Sequence, residues 1–443
     1  MNPFGISLVI VTTLIPAYQL FSLPNVTDQL ALFSQYLGVM ALILMAWGQI
    51  LATRMPGVES LFGGLDRIYV LHKWAGIIAM TAILLHDTID ADMEDLGVES
   101  AVTDLAETLG EMGLYGLLIL VVISVATFIP YHLWKWTHKA MGAFFAAGAF
   151  HFFFILKPFE MTDAAGLYTG LFCGAGLFAY MWTLLPDHMR PSHGYNISDM
   201  KETGGALAIT LTPLQKGLKP VAGQFGIFHF NGADKSEPHP FSFSKIDSDG
   251  SMRVTIKALG DFTSGLKRTL AIGQEVRVQG PYGRFLLSAQ RPQVWVAGGI
   301  GITPFLAWAD ALKPDAPAIH LFYCFRSEAE APHLSEIERL AATKPNLTLH
   351  LFNSSEGHRL SVEDIVERMD GTMDNLKVSF CGPAALREIP QANLRKYGVG
   401  SRNFHYEEFE FRTGIGLRKL AAWVLKRGSE NITKIRRPSS ARN

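Results

Sequence analysis

Six apolar stretches, near residues 5–23, 30–51, 69–89, 112–131, 138–157 and 166–186, constrain this chain more than any other feature. Each is long enough to cross a hydrocarbon core roughly 30 Å thick. A backbone in lipid must satisfy its own hydrogen bonds, so each stretch predicts a membrane-spanning helix. Hydrophobic residues make up 49% of the 443 residues, and the excess falls before residue 190. Arg54, Arg67, Lys73, Lys135, Lys139 and Arg190 stand at one set of span ends, against Lys157 alone at the other. That asymmetry predicts both termini on the cytoplasmic side. The loop after the third span, with Asp87, Asp90, Asp92, Glu94, Asp95, Glu99, Asp104, Glu107, Glu111 and no basic residue, is expected to face outward.

Within this bundle, the third span carries His72 and His86 and the fifth carries His138 and His151. Ionisable residues inside a membrane are costly, and by default they mark a functional site. Both spans run from inside to outside, so His72 and His138 pair near the inner face and His86 and His151 near the outer face. Fourteen residues rise about 21 Å, which suits two stacked haems, one in each leaflet and each gripped by two imidazoles. With both axial positions filled, an outside acceptor would be reduced at a haem edge. Fourteen residues bring His86 within about 40° of His72, whereas thirteen leave His151 about 140° from His138. The fifth span is therefore expected to distort, with Gly142 and Gly148 permitting it, or His138 to sit in a frayed first turn. His132, 19 residues from His151, competes with His138 and fits the stacking less well.

The remaining composition narrows the classes. A net charge of -1 argues against nucleic acid as a partner. Cys173, Cys324 and Cys381 form no CxxC pair, so neither a disulfide framework nor a thiolate metal site is expected. No basic segment precedes the first apolar run, so that run reads as a span and not a cleaved signal peptide. There is no EF-hand loop, so calcium control is not expected.

Past a linker at Pro186–Ser192, from about residue 203, the pattern changes to short alternating runs: GALAITLTP, GQFGIFHF, MRVTIKAL and EVRVQGPYG. These predict a small antiparallel barrel. It holds His239-Pro240-Phe241-Ser242, then Gly260-Asp261-Phe262-Thr263, then Gly280-Pro281-Tyr282-Gly283. Residues 294–412 alternate strands (QVWVAGG, AIHLFYCF, LTLHLF, KVSFCG) with helices, one starting near 303, as in a doubly wound parallel sheet. Gly298-Gly299-Ile300-Gly301-Ile302-Thr303-Pro304 lies between a strand and a helix, where glycines allow close approach to a pyrophosphate and the helix N-terminus favours its charge. The GxGxxG dinucleotide fingerprint is absent. From Thr413 the chain is basic, with an apolar stripe of Leu417, Leu420, Ala421, Val424 and Leu425 suited to an anionic leaflet.

The histidine spacings of 14 and 13 and the strings LHKWAG and THKAMGAFFAAGAFH resemble the haem helices of the ferric reductase and NADPH oxidase superfamily. HPFS, GDFT and GPYG, in that order, resemble its flavin-binding domain, and GGIGITP resembles the nucleotide turn of ferredoxin-NADP reductase relatives. The resemblance covers most of residues 30–412. It implies a multi-domain membrane protein of a bacterial inner (plasma) membrane: a six-helix transmembrane bundle over 1–192, an antiparallel β-barrel FAD domain over 200–288, an α/β doubly wound NAD(P)-binding domain over 290–412 and a tail over 413–443. It implies His72, His86, His138 and His151 as ligands of two haems b, with Phe144 where an aromatic often stands between the haems. It implies that His239, Pro240, Phe241, Ser242, Gly260 and Thr263 hold FAD, Thr263 adding a hydroxyl to the phosphates. The nucleotide would rest on Gly298, Gly299, Gly301, Thr303 and Pro304. Cys381-Gly382-Pro383 would lie beside the nicotinamide, the thiol near the hydride-donating carbon, and Phe409 would cover the flavin. Arg326 and Ser327, after the second strand, are placed to meet a 2′-phosphate, favouring NADPH over NADH.

The implied activity takes electrons from cytosolic NAD(P)H through FAD and two haems to an acceptor outside. Asp90 stands where the oxidases tend to have a histidine, and no Arg or Lys marks the outer ends of the first two spans. Both departures weigh against superoxide production. An acidic outer mouth attracts metal cations, so ferric iron is preferred as acceptor over oxygen or a periplasmic protein. A haem- or nucleotide-binding sensor or transporter without turnover is the alternative of a different class.

Overall fold

The computed structural model describes residues 3–23, 28–89, 100–125, 129, 131–186, 189–230, 238–288, 291–369, 373, 376–400 and 402–407. The chain divides into two compact units. One, built from residues 7–53 and 71–183, is helical. Its elements come from α1 (Pro3–Phe21), α2 (Gln29–Ala52), α4 (Leu65–Thr88), α5 (Ala101–Val125), α6 (Tyr131–Phe154) and α7 (Ala164–Leu184). The apolar runs locate all six, and the start of α2 is fixed by Asp28, whose carboxylate accepts from the Leu30 and Ala31 N–H groups. Five of them, all but α6, are long and apolar enough to cross a membrane. At 24 residues α6 is as long as α4, but Lys135, Lys139 and its histidines lower its hydropathy. Small residues set the packing here: a Cβ on Gly176 of α7 would lie 2.9 Å from Ala46 Cα on α2 and 2.7 Å from Phe145 on α6.

Two expectations are corrected in this unit. The fourth span does not begin near 112. The helix α5 starts at Ala101, behind Ser100, whose hydroxyl accepts from the Thr103 N–H. Hydropathy marks only the apolar part of a helix, and α5 extends ahead of it by three amphipathic turns. Asp104, Glu107 and Glu111 are therefore exposed helical residues and not loop residues, Asp87 belongs to α4, and residues 90–99, with Asp90, lie outside the described ones. Secondly, α6 is an unbroken helix through both histidines, with His138 well inside it. No break or frayed turn separates them, and both rings meet α5, His138 at Ser124 and His151 at Ala106.

The second unit holds residues 54–70 and 184–409. Strands β1 (His193–Thr203), β2 (Ala206–Pro213), β3 (Phe225–Phe230), β4 (His239–Ile246), β5 (Met252–Lys257) and β6 (Glu275–Tyr282) close an antiparallel barrel in the order β1-β2-β5-β4-β3-β6. The strand β1 precedes the expected start of this domain. In it only Tyr195 and Ile197 carry the buried alternation, too little to read as a strand alone, and pairing with β2 and β6 supplies the rest. Strands β7 (Gln293–Gly298), β8 (Ile319–Phe325), β9 (Leu347–Asn353), β10 (Lys377–Cys381) and β11 (Phe404–Glu407) form a parallel sheet in the order β11-β10-β7-β8-β9. The chain leaves β7 towards β8 and later returns on the other side at β10. The switch point therefore lies between β7 and β10, and ligands in such sheets bind outside the carboxyl ends of the strands there.

A polar network joins barrel to sheet within this unit. His333 sits against Thr255 (Nε2 to Oγ1, 2.8 Å) and Glu336 (Nδ1 to Oε2, 2.7 Å), and Arg253 donates to the same carboxylate at 2.9 Å. Burial pushes the Glu336 carboxyl up, but the hydrogen bonds from His333 and Arg253 outweigh it and hold the group at about 2. The helix α3 (Pro56–Phe62), opened by a proline and closed by Gly63 at φ 88°, belongs to the same unit. Its Glu59 is buried and accepts from the Gly283 N–H at 3.1 Å, so residues 54–70 hold the Gly280–Gly283 turn in place.

Candidate functional site

In the helical unit the four histidines each have Nδ1 engaged. His72 Nδ1 lies 2.9 Å from the Gly48 carbonyl oxygen, and His151 Nδ1 lies 3.0 Å from that of Ala106. His86 Nδ1 lies 2.9 Å from Ser34 Oγ, and His138 Nδ1 lies 3.3 Å from Ser124 Oγ. A carbonyl can only accept, so His72 and His151 carry the proton on Nδ1 and turn the Nε2 lone pair away. Metal-bound histidines show this arrangement, in which the remaining N–H goes to an oxygen that fixes tautomer and ring orientation. The rings of His72 and His138 stand 5.9 Å apart, which leaves room for one metal atom at roughly 2 Å from a nitrogen of each. His138 is brought to His72, and Trp134 stacks on it at 4.9 Å; the side chain of His132 lies outside the described ones. Among the described residues no three His, Cys, Asp or Glu side chains gather to hold a metal ion, so each pair offers two protein ligands. Glycines give the rings space. A Cβ on Gly38 would come within 3.2 Å of His86 Nε2, and one on Gly110 within 2.6 Å of His151 Nδ1. The spacing of His72 and His138 fits a two-imidazole haem. Phe144 packs with Met80, Leu114 and Leu117, against a space that Gly116 leaves for its ring.

In the other unit the barrel motifs meet. His239 and Phe262 stack at 3.8 Å and 16°, which brings HPFS against GDFT. The inward residues of the barrel include Phe228, Phe243 and Val278, so by alternation Ser242 and Gln279 lie on its outer face. Ser242 Oγ and Gln279 Nε2 are buried with no hydrogen-bond partner among the described residues. Buried polar atoms of this kind require an explanation, and a flavin ring edge supplies one. Pro240 pairs with Ile227 and Phe241 packs on Phe228 and Phe230. GDFT is the start of α8 (Asp261–Thr269), with Gly260 as its N-cap and open space before it. The Thr263 hydroxyl accepts from the Leu259 and Gly260 N–H groups, so it closes this turn, and the free donors there are backbone groups.

At the switch point the two glycine turns are packed backbone to backbone. A Cβ on Gly298 would lie 2.9 Å from Pro383 and 3.4 Å from Gly382 Cα. A Cβ on Gly301 would lie 2.1 Å from the Cys381 carbonyl oxygen. Gly299 is in the left-handed region, at φ 53°, and faces open space. A short 3₁₀ turn, Gly299–Ile302, leads into α9 (Thr303–Ala311), with Pro304 in its first turn and the Thr303 hydroxyl donating to the Ile300 carbonyl at 3.1 Å. This is a helix N-terminus with backbone N–H groups facing a crevice, suited to phosphate. Arg326 is exposed just past β8. Phe409 lies outside the described residues. A cavity of about 500 Å³ between Arg284, Trp308, Lys377 and His405 reaches Ser379, two residues before Cys381.

Sequence reasoning did not single out Glu407. Parallel pairing of β10 with β11 sets it beside Cys381. Both are buried, and Glu407 Oε2 has no partner among the described residues. Burial, then the neighbouring Glu407, pushes the Cys381 thiol well above its usual range, so it stays protonated. Burial, with the nearby Asp66 carboxylate, raises Glu407 to about 8. The folded chain therefore keeps a proton on Glu407 that the unfolded chain releases near 4.5. The stability contribution is complete below about pH 4.5 and is lost as pH rises through about 8. We expect Glu407→Gln to flatten that decline, so that its melting temperature exceeds the parent's at pH 9 and matches it at pH 5. Thermal unfolding of the detergent-solubilised protein across that range measures this.

Comparison with known proteins agrees with both units. Residues 37–149 match the family model for the ferric reductase like transmembrane component, and residues 295–391 match that for the oxidoreductase NAD-binding domain. The chain joins a ferric reductase-like transmembrane component to an oxidoreductase NAD-binding domain. This pairing is consistent with the ferric reductase and NADPH oxidase superfamily. The toluate 1,2-dioxygenase electron transfer component of Pseudomonas putida is 27% identical over 223 residues, covering 48% of this chain and 66% of that protein. The carnitine monooxygenase reductase subunit of Escherichia coli is 29% identical, covering 34% of this chain and 46% of that one. A flavohemoprotein of Pseudomonas putida is 27% identical, covering 40% and 51%. The chain thus spans between about half and two thirds of these relatives.

Proposed function

We propose that this ferric reductase-like chain is a transmembrane oxidoreductase that takes electrons from NAD(P)H on the cytoplasmic side and delivers them to an acceptor outside. His72 with His138, and His86 with His151, would hold two haems b across six spans, and the barrel motifs would hold FAD, which would supply the change from hydride to single-electron transfer. The observation that supports the reading is that all four imidazoles have Nδ1 within hydrogen-bond distance of an oxygen, with the rings of His72 and His138 5.9 Å apart. The chain's residues do the positioning. Gly298, Gly299 and Gly301 admit the nucleotide phosphates, Ser242 donates to the flavin ring, and the protonated Cys381 and Glu407 line the transfer site without a charge that would repel hydride. Ferric iron is the preferred acceptor, because Asp104, Glu107 and Glu111 form an exposed acidic face of α5 beside Ala106, the residue that holds His151.

The test is the purified protein in liposomes with NADPH trapped inside and a ferric salt, oxygen or quinone outside. The proposal expects haem absorption at two haems per chain and outside iron reduction that exceeds superoxide formation. A colourless protein, or NADPH oxidation indifferent to every outside acceptor, overturns it.

Arg326 gives the donor preference. A charge-assisted contact to a 2′-phosphate is worth roughly 1.5–3 kcal/mol. Arg326→Ala is therefore expected to raise KM for NADPH by roughly 10- to 100-fold, with KM for NADH unchanged. Steady-state kinetics with both nucleotides checks it.

A further inference from the structure

The four histidine contacts are of two kinds. His72 and His151 meet backbone carbonyls, of Gly48 and Ala106, whereas His86 and His138 meet serine hydroxyls, of Ser34 and Ser124. Each proposed haem level thus has one ligand that meets main chain and one that meets a serine hydroxyl. The arrangement follows from helix register. Ser34 and Gly48 are 14 residues apart on α2, as are His72 and His86 on α4, so antiparallel packing in constant register delivers one contact at each level. On α5 the partners Ala106 and Ser124 are 18 residues apart, against 13 for His138 and His151 on α6. That slip accompanies the longer contact, 3.3 Å, at Ser124.

The direction of the Ser34 bond is fixed by a second contact. Ser34 Oγ also lies 3.2 Å from the His86 carbonyl oxygen. That carbonyl is in the last turn of α4, where helix carbonyls lack intrahelical partners. A hydroxyl has one proton. Ser34 gives it to the carbonyl, so its oxygen accepts from His86 Nδ1–H and Nε2 is left for a metal.

We infer that Ser34 and Ser124 are positioning residues that set the redox potentials of the two haems separately, Ser34 through His86 and Ser124 through His138. The inference rests on the two-haem reading above. An oxygen accepting from Nδ1–H makes the imidazole a stronger donor to iron, which favours the ferric form. Loss of the acceptor favours the ferrous form and moves the potential upward. The carbonyls of Gly48 and Ala106 cannot be altered by substitution without altering the backbone, so the serines are where sequence can tune one haem alone.

The experiment is spectroelectrochemical titration, with low-temperature paramagnetic resonance of the ferric haems, on full-length purified parent, Ser34→Ala, Ser124→Ala, the double variant and Ser34→Thr. The expected result is that Ser34→Ala shifts one of two haem waves to more positive potential and alters one ferric signal. Ser124→Ala should shift the other wave, the double variant both, and Ser34→Thr, which keeps the hydroxyl, should return the parent values. Loss of a single haem from Ser34→Ala with retention in Ser34→Thr also supports it. Unmoved waves in either alanine variant, equal movement of both waves by one substitution, or loss of both haems from Ser34→Ala overturns it. A parent protein that binds no haem refutes the two-haem reading itself, a distinct outcome.

Discussion

Replacing His86 with Leu is expected to reduce electron delivery to an acceptor outside NADPH-loaded liposomes to the level of protein-free vesicles. NADPH oxidation by a soluble acceptor on the flavin side should be retained. The side chain is held between Ser34 and the open face at Gly38, and a leucine there offers no lone pair to a metal while filling a similar volume. His86 and its partner His151 lie in the helical unit, and the nucleotide and barrel motifs lie in the other, so the substitution leaves the barrel core and both glycine turns untouched. The same split is expected for His151→Leu, and half the haem should be absent from each variant. Two measurements check this: haem content by pyridine haemochrome, and the ratio of outside to inside acceptor reduction. A variant that still reduced the outside acceptor at parental rates would turn the membrane half into an anchor.

Much of this arrangement was legible in the residues, and what was not shares one cause. Apolar run length located the helices but placed the starts of α4, α5 and α6 too late, most of all α5, because Ala101–Glu111 alternates acidic and apolar residues and hydropathy averages these away. The motifs GDFT and GGIG predicted the turns they form, whereas HPFS, read as a proline turn, opens the strand β4. The roles of Ser34 and Ser124 were hidden, since a serine in an apolar helix gives no sign of which helix it faces. Only register between α2 and α4, and between α5 and α6, brings them to imidazoles 52 and 14 residues away. Glu407 was hidden likewise. It stands in the string HYEEF as one of two adjacent glutamates, and only parallel pairing with β10 sets it beside Cys381. Thr263, a hydroxyl in a glycine turn, also closes that turn by accepting from the Leu259 and Gly260 N–H groups, a local role the motif alone does not show. Periodicity and spacing describe one segment at a time, whereas each of these facts belongs to a pair of segments.

The closest backbone approach at the switch point gives the second large effect. Gly301→Ala places a methyl carbon 2.1 Å from the Cys381 carbonyl oxygen, where the obstacle is main chain and cannot rotate away. Either the Gly299–Ile302 turn or the end of β10 has to move, and both line the crevice. Catalytic geometry is steep: a displacement of about 1 Å costs roughly 100-fold in rate. Hydride transfer from NAD(P)H is therefore expected to fall roughly 100-fold, read as flavin bleaching in stopped flow. Flavin content and haem spectra should be retained, because Ser242, the His239–Phe262 stack and the four histidines are not part of that contact. Gly299→Ala is the internal control. Gly299 has nothing within 4 Å of its Cβ position, so it meets no clash and bears only the strain of a positive φ of 53°. Its effect should be smaller, and it should fall on KM for the nucleotide before kcat, since the loss is in how the turn presents its N–H groups to phosphate. If both variants slowed hydride transfer equally, contact between the two turns would not be what aligns the nicotinamide, and the alignment would have to come from the loop conformation alone.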